Sequence, residues 1–482
     1  MAATTTLTMA DGIRIVVPAS FNCITTYVVC EQGDWFEDEV RFLRRLLQPG
    51  QCVIDIGANY GAYTLSMAKL VGAAGRVWAF EPASDTARHL RESVAANQFT
   101  QVSLIQCALS DTAGTAKLSL KGSSELNELV RGEDSAGNFE TVTLTTLDNC
   151  MTVHGWHDVA FLKLDAEGEE ANIVRGGGRF LVQQSPLIQY EVKARASLNL
   201  ELVQIFNEFG YASYRLVPGL NVLVPFDQEA DLDRYTLNLF GCKAERATQL
   251  SDLGFLARMT AGEEIGQIVE TLRIEHGGAW LKSLLELPYG RMCMPLWRDT
   301  VAKGWDADVE AALSLYDLSR RTDLPANVRF EALRSSFTRM KKCCAAEARP
   351  SRLATLARVA LDYGARSVAI QSLNQLAGEI LKEGAVDLGE PFLPPCGRFD
   401  VIPSKDSQKR WLAAATMEAL EKYHAYSSIF SGQAAWPRLD LIRQLGYGSE
   451  EMNRRWQLIG MLCGSATGVP LPQALTMPAT AG

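Results

Sequence analysis

VIDIGANYG, residues Val53 to Gly61, is the stretch on which the reading of this chain turns. Val53, Ile54 and Ile56 surround Asp55 in a short apolar run, the pattern of a buried parallel strand. Gly57 then starts a turn where, with no Cβ in the way, backbone is expected to approach a ligand closely. After Gly61 the segment AYTLSMAKL carries Tyr63, Leu65, Ala68 and Leu70 and reads as a helix. Strand, glycine turn and helix together hold nucleotide-like ligands in many folds.

The spacing selects among such ligands. A dinucleotide turn reads G-x-G-x-x-G, whereas here Asn59 takes the central glycine position. One acid, Asp55, precedes the turn, and a second, Glu81, followed by Pro82, ends the next apolar run, VWAFEP. A carboxylate placed there can accept from both hydroxyls of a ribose. This combination favours S-adenosylmethionine, whose single nucleoside leaves no pyrophosphate to cradle. The bland alternative is a pair of packing glycines with no ligand.

Five segments in order, VIDIGANYG, FEP, CALSDTAGTAKLSL, TLD and FLKLDAEGEEANIVRGGGRFL, resemble the FkbM family of methyltransferases over about residues 25–245. The resemblance implies a class I S-adenosylmethionine-dependent α/β fold: a Rossmann-like mixed seven-stranded sheet with helices on both faces. It also implies, most often, O-methylation of a sugar or natural-product hydroxyl, with S-adenosylhomocysteine as product. On this reading Asp55, Gly57, Ala58, Asn59, Tyr60, Gly61, Glu81, Pro82 and Asp165 hold the cofactor. The loop after the third strand, VSLIQCALS, passes the adenine at Cys107–Ala108.

The chemistry is expected at FLKLDAEGEE. Phe161, Leu162 and Leu164 form a fourth strand that Lys163 and Asp165 interrupt near its carboxyl end, where parallel strands deliver reactive groups. That strand should neighbour the Asp55 strand, putting Asp165 and Glu167 at the methyl end of the cofactor. An alcohol is a poor nucleophile until a base takes its proton, and Asp165 or Glu167 is the candidate base. Lys163 is read as orienting a carboxylate or the acceptor. The fifth strand, PLIQYEV, adds Glu191. Asp165, Glu167 and Glu191 together suit Mg²⁺ or sugar hydroxyls, and the reading taken is no metal. His154 and His157 in HGWH lack a third partner at helical spacing.

Elsewhere, GIRIVVP and CITTYVVC read as lead-in strands, and GDWFEDEVRFLRRLL as a helix begun by Asp34 and stopped by Pro49-Gly50. Ser84 is the expected cap of the helix after Glu81-Pro82. Residues 112–146 read as short β pieces around the polar insertion KGSSELNELVRGEDSAG, the expected place for acceptor-recognising loops. YASYRLVPGLNVLVP and YTLNLFGCK supply a closing β-hairpin.

With 482 residues and 47% hydrophobic residues, the chain has material for two domains. The expected division is a methyltransferase domain at 1–250, an α-helical domain at 251–465 and a flexible tail at 466–482. In the second domain ALDYGARSVAIQSLNQLA places Ala360, Gly364 and Ala369 where antiparallel helices would touch, which resembles tetratricopeptide-like hairpins. Such arrays are usually binding surfaces, so a protein partner or dimer contact is expected there.

The net charge of −9 is uneven: 27 basic against 26 acidic residues in 251–482 leaves 20 against 30 in 1–250. An acidic first half with no Lys/Arg cluster argues against nucleic acid as partner and leaves a small-molecule or glycan acceptor. Eleven scattered cysteines without a C-x-x-C repeat read as reduced thiols. With no signal-like N-terminus and no spanning apolar run, the expectation is a cytoplasmic protein with no membrane insertion. Competing readings are a non-catalytic interaction protein on the same fold, a methyltransferase for a peptide or another small-molecule nitrogen or carboxylate, and an NAD-dependent oxidoreductase. The last lacks a Tyr-x-x-x-Lys or comparable hydride-transfer set.

Overall fold

A computed structural model describes residues 3–121, 124–130, 138–194, 197–198, 200–230, 232–258 and 262–463. The chain divides into two compact units: residues 1–216 with 223–255, and residues 217–222 with 256–482. The tail expected at 466–482, part of the 122–137 insertion and residues 195–196, 199, 231 and 259–261 lie outside the described residues.

The first unit is built on an eight-stranded sheet: β1 (Cys52–Ile56), β2 (Arg76–Phe80), β3 (Val102–Ile105), β4 (Val159–Leu164), β5 (Leu187–Glu191), β6 (Ala212–Val217), β7 (Val222–Pro225) and β8 (Asn238–Cys242), in the order β7-β6-β8-β5-β4-β1-β2-β3. β1 lies between β2 and β4, all parallel, and β4 and β5 are parallel too; β8 runs antiparallel to both β5 and β6. The strand carrying Lys163 thus neighbours the Asp55 strand, and the order reverses direction at β1, where such sheets open a crevice. Seven of these strands were expected. The eighth arises because the run YRLVPGLNVLVP folds back through Asn221, at φ 52, so that β7 joins the sheet edge beside β6.

Side chains alternate across the sheet. Ile54, Ile56, Leu162, Leu164, Ile188 and Tyr190 face one core, shared with Phe180, Leu181, Leu202 and Phe206 from helices Gly178–Gln183 and Glu201–Glu208. The other face receives α1 (Ile24–Gln32), α2 (Asp38–Leu46), α3 (Ala62–Val71) and α4 (Ser84–Ala96), among which Tyr60 and Leu65 pack with Ile15, Val17 and Val29.

Several local readings change. CITTYVVC is α1, not a strand: Thr25, Thr26, Tyr27, Val28 and Val29 are all buried, and Gly33 at φ 75 closes the helix. A segment apolar on every side is stabilised by burial rather than by its β-branched propensity. α2 begins at Asp38 rather than at Asp34, because Asp34 is drawn to Arg44. α4 has no side-chain cap, since Ser84 bonds the Glu140 carboxylate instead. VSLIQCALS splits into β3 and a two-residue strand, Ala108–Leu109, which belongs to a second sheet with Gly114–Ser119, Glu128–Val130 and Phe139–Thr145. EEANIVRGGGRFL forms two helices, Glu170–Arg175 and Gly178–Gln183, because a Cβ at Gly176 would stand 2.2 Å from the Ser110 carbonyl oxygen.

The second unit is helical. Its α-helices range from the four-residue Ser428–Ser431 to the 21-residue Ala326–Ala346, and Ala307–Ser319, Ala326–Ala346, Pro350–Tyr363, Arg366–Ile380 and Gln408–His424 pack in succession. Ala360 and Ala369 are fully buried, but Gly364 makes no helix contact surface: at φ 95 it caps Pro350–Tyr363 and turns the chain. Among the described residues no helix is long and apolar enough to cross a membrane, and ten cysteines are free thiols.

Candidate functional site

Three polar residues lie in one lateral row at the centre of the first unit's sheet. Lys163 is in register with Asp55 on one side and with Gln189 on the other. Asp55 and Gln189 are wholly buried and Lys163 is 4% exposed. Burying such groups in a sheet interior costs several kcal/mol each unless they are paired, on the order of the penalties known for buried ions. Lys163 Nζ donates to Asp165 Oδ2 at 2.7 Å and sits 4.7 Å from the Tyr63 ring centroid. Burial alone would lower its pKa, but Asp165, Asp55 and Glu37 outweigh that and hold it above the ordinary lysine value.

The row ends at the nucleoside turn on one side. Asp55 Oδ2 accepts from Thr64 Oγ1, while Oδ1 is buried with no partner among the described residues. Burial pushes this carboxyl up, against the pull of Lys163. In the turn, Gly57 N and Ala58 N donate to the Phe80 carbonyl, Asn59 N to Glu81 Oε2 at 2.9 Å, and Gly61 N to the Ala58 carbonyl. Those four amides are taken up by protein acceptors and are not offered to a pyrophosphate. Glu81 Oε1 accepts from Ala83 N, and burial lifts the carboxyl to about 7. Each of its oxygens keeps lone-pair capacity, which is what a pair of ribose hydroxyls requires.

Gly57 has another role than the one its spacing suggested. A Cβ there would lie 1.7 Å from the Asp165 carbonyl oxygen, so the missing side chain lets the β1 turn press on the β4 exit rather than on a ligand. Asp165 N donates to the Ile56 carbonyl across the same junction. Tyr60 and Ala58 are buried in the core, 6% and 4% exposed, and so reach the crevice through backbone alone. Pro82 is half-buried between β2 and α4. Ala108 pairs with Leu144 and packs on Ala83, Leu118 and Val142, which ties the expected adenine loop into the second sheet.

At the β4 exit, Glu167 takes the left-handed region at φ 50, uncommon for a residue with a side chain, and Gly168 follows at φ 97. Partial burial and the nearby Asp165 and Glu170 push the Glu167 carboxyl to about 8, although it is exposed and solvent screens part of that effect. Glu191 is pushed to about 10, first by burial and then by Asp165, Glu167 and Glu170. One oxygen each of Asp165, Glu170 and Glu191 lies within 4.8 Å of the others. Sequence reading missed Glu170, whose signal was only its place in AEGEE. The spacing is compatible with a hard cation, but Glu170 already accepts from Ala166 N and Gly168 N, and Lys163 balances Asp165. No ion site is assigned. His157 instead bonds the Gly155 carbonyl and His154 stacks on Trp156, both outside this group.

Two further contacts had no sequence signal. Ser124, from the insertion, donates to Asn59 Oδ1 at 2.8 Å, and Glu125 accepts from Thr25 N and Oγ1 at the start of α1. The first brings the insertion onto the turn after β1 and the second ties it to α1.

Residues 55–213 match the family model of the methyltransferase FkbM domain. No curated protein matches the chain. Among solved structures, an FkbM methyltransferase from Methylobacillus flagellatus aligns at 16% identity over 40% of this chain and 43% of its own, with a TM-score of 0.27. The chain therefore spans less than half the length of that protein. A putative rRNA methylase from Clostridium thermocellum aligns at 13% identity over 44% of this chain and 96% of its own, with a TM-score of 0.28. A SAM-dependent O-methyltransferase from Thermotoga maritima aligns at 14% identity over 50% and 77%, with a TM-score of 0.25. Residues 55–213 are thus similar to a methyltransferase FkbM domain, and their sheet opens a crevice at the β1 switch point. The unpartnered Asp55 Oδ1 and the Glu81 carboxylate fit the nucleoside of S-adenosyl-L-methionine, the cofactor that family implies.

Proposed function

We propose that the chain is an S-adenosylmethionine-dependent methyltransferase that methylates a sugar hydroxyl on a glycan or glycosylated natural product. The observation that carries this reading is Asp165 at the β4 exit, given through one oxygen to buried Lys163 and standing beside the nucleoside turn. Asp55 and Glu81 would hold the nucleoside, with Asn59 placing the turn. The bound cofactor supplies a methyl group already activated on a sulfonium, so the protein's part is alignment, proton removal and exclusion of water.

Asp165 or Glu167 takes the acceptor's proton, a contribution typically of about 10²–10⁴ in rate. Glu167, pushed to about 8, is the better matched in basicity near neutral pH, and Asp165 is the better held. Lys163 fixes Asp165, and Glu191, protonated up to about pH 10, is able to donate to an acceptor oxygen. The helical unit would present or recognise acceptor, and the protein would work in the cytoplasm without nucleic acid. Transfer to a peptide nitrogen or a carboxylate remains the second acceptor class.

Purified full-length protein, incubated with isotope-labelled cofactor and panels of glycans, glycosides and peptides, is expected to add one labelled methyl to a hydroxyl-bearing acceptor, read by mass spectrometry. Label found only on nitrogen would replace the sugar reading. Asp165→Asn and Glu167→Gln should then separate, the base variant losing turnover by about 10²-fold or more with cofactor affinity kept.

A further inference from the structure

The polar row has a second tier, reaching residues that no motif marks. Glu37 occupies the N-cap position of α2 yet makes no capping hydrogen bond to that helix. Its carboxylate is turned into the sheet instead. Oε2 accepts from Tyr63 OH and from Asn238 Nδ2 at 3.0 Å, and Oε1 accepts from Trp35 Nε1 at 2.8 Å. Tyr63 OH in turn accepts from Gln189 Nε2 at 2.9 Å, while the Tyr63 ring packs on the Lys163 ammonium. Four segments far apart in the chain, at 35–37, 63, 189 and 238, thus close on the Glu37–Tyr63 pair, whose ring covers one lysine. Gln189 Oε1 and Asp55 Oδ1 are left buried without partners on either side of it.

A stability role alone explains this poorly. A helix start is ordinarily served by a short side chain that caps it, and here a long carboxylate gives up the cap to collect three donors. The outcome is a fixed ammonium with only one mobile partner, Asp165, whose Oδ2 it holds and whose Oδ1 has no partner among the described residues. Asp165 is half-buried, whereas the rest of the row is closed off.

We propose that Glu37 and Tyr63 are positioning residues: through Gln189 and Lys163 they lock the ammonium that aims Asp165 at the methyl position of the cofactor. This rests on the proposed methyltransferase reading. Glu37 and Tyr63 touch neither cofactor nor acceptor in this scheme. Their effect is felt wherever a positive group occupies the methyl position, because only there does the direction of Asp165 matter.

The test uses two neutral-to-cationic probes on the full chain by isothermal titration. S-adenosylhomocysteine has no charge at the methyl position; sinefungin carries an ammonium there. Wild type should prefer sinefungin, Asp165→Asn should lose that preference, and Tyr63→Phe and Glu37→Gln should reduce it about tenfold, equivalent to ~1.4 kcal/mol. S-adenosylhomocysteine affinity should stay within about twofold in both variants, which also shows that they fold. Glu37→Asp, keeping the charge, should recover part of the preference. An undiminished sinefungin preference in Tyr63→Phe and Glu37→Gln, with Asp165→Asn losing it, overturns the positioning role while leaving the methyltransferase reading intact. Equal loss of both ligands in the variants makes the residues structural and also overturns it. No heat with either ligand in wild type overturns both readings together.

Discussion

In the helical unit, Glu390 accepts from Arg352 and Arg349, Glu418 from Arg398, and Glu421 from Arg438 and Arg455, with all three glutamates at most 5% exposed. In the α/β unit, Asp55, Glu81 and Glu170 are buried to a similar degree, and none has a salt-bridge partner among the described residues. Burying a carboxylate is tolerated in a fold when a guanidinium comes with it. Where the positive partner is missing, something outside the fold has to justify the charge, and perturbed carboxylates gathered at one edge of a sheet mark a site. A cationic nucleoside is such a justification. The helical unit's three glutamates are matched by its own arginines.

The largest effect should come from breaking a paired acid. Glu421→Ala takes the shared carboxylate from Arg438 and from Arg455, 1% exposed, leaving Arg455 with Glu451, and should cost about 3–5 kcal/mol in urea denaturation. A loss under about 1 kcal/mol would dissolve the contrast between the units. Next comes Gly57→Ala. Its Cβ would meet the Asp165 carbonyl oxygen at a backbone φ of +77, so the β1 turn and the β4 exit must part. A stability loss of roughly 2–4 kcal/mol is expected, with S-adenosylhomocysteine binding lost as well.

Asp55→Asn should behave in the opposite way to Glu421→Ala. Removing a buried charge that has no salt-bridge partner among the described residues should leave stability within about 1 kcal/mol of wild type, while cofactor affinity falls at least about tenfold by titration calorimetry. A large stability loss with affinity intact would make Asp55 a structural acid like those of the helical unit.

The smallest effect is in pH dependence. Glu81 and Glu191 have folded-state values raised from 4.5 to about 7 and about 10. Above the unfolded value near 4.5 the folded chain therefore holds protons that the unfolded chain has released. Stability from these groups is complete below that value and is lost as pH rises towards about 7 for Glu81 and about 10 for Glu191. Glu191→Gln should flatten the fall in Tm between pH 7 and 10, by on the order of 1 kcal/mol once solvent on its open side is allowed for. Calorimetric scans from pH 5 to 10 would show it, and identical slopes would mean that Glu191 is ionised in the fold.

How far the sequence reveals these features depends on distance along the chain. Asp55, Glu81, Lys163 and Asp165 were legible because each ends or interrupts an apolar strand run, and the register Lys163–Asp55 follows once the two strands are neighbours. Glu37, Gln189 and Asn238 were not, because Tyr63 reaches Glu37 over 26 positions and Gln189 over 126, and Asn238 reaches Glu37 over 201. Gly57 was recognised as special for the wrong contact, since spacing shows that a Cβ is unwelcome but not which atom it would strike. CITTYVVC failed by propensity: β-branched residues favour strands until burial on every side makes a helix the better way to satisfy the backbone. Ser124 and Glu125 were seen only as part of a polar insertion, because nothing local predicts that a loop will cross a turn 65 residues earlier.

The central claim is that the unbalanced acids of the α/β unit exist to receive a positively charged nucleoside. Titrating S-adenosylmethionine into the full-length protein at neutral pH addresses it most directly. One site per chain, bound more tightly than neutral S-adenosylhomocysteine and not displaced by NAD, is the result expected. Absence of binding, or displacement by NAD at micromolar concentration, would contradict it.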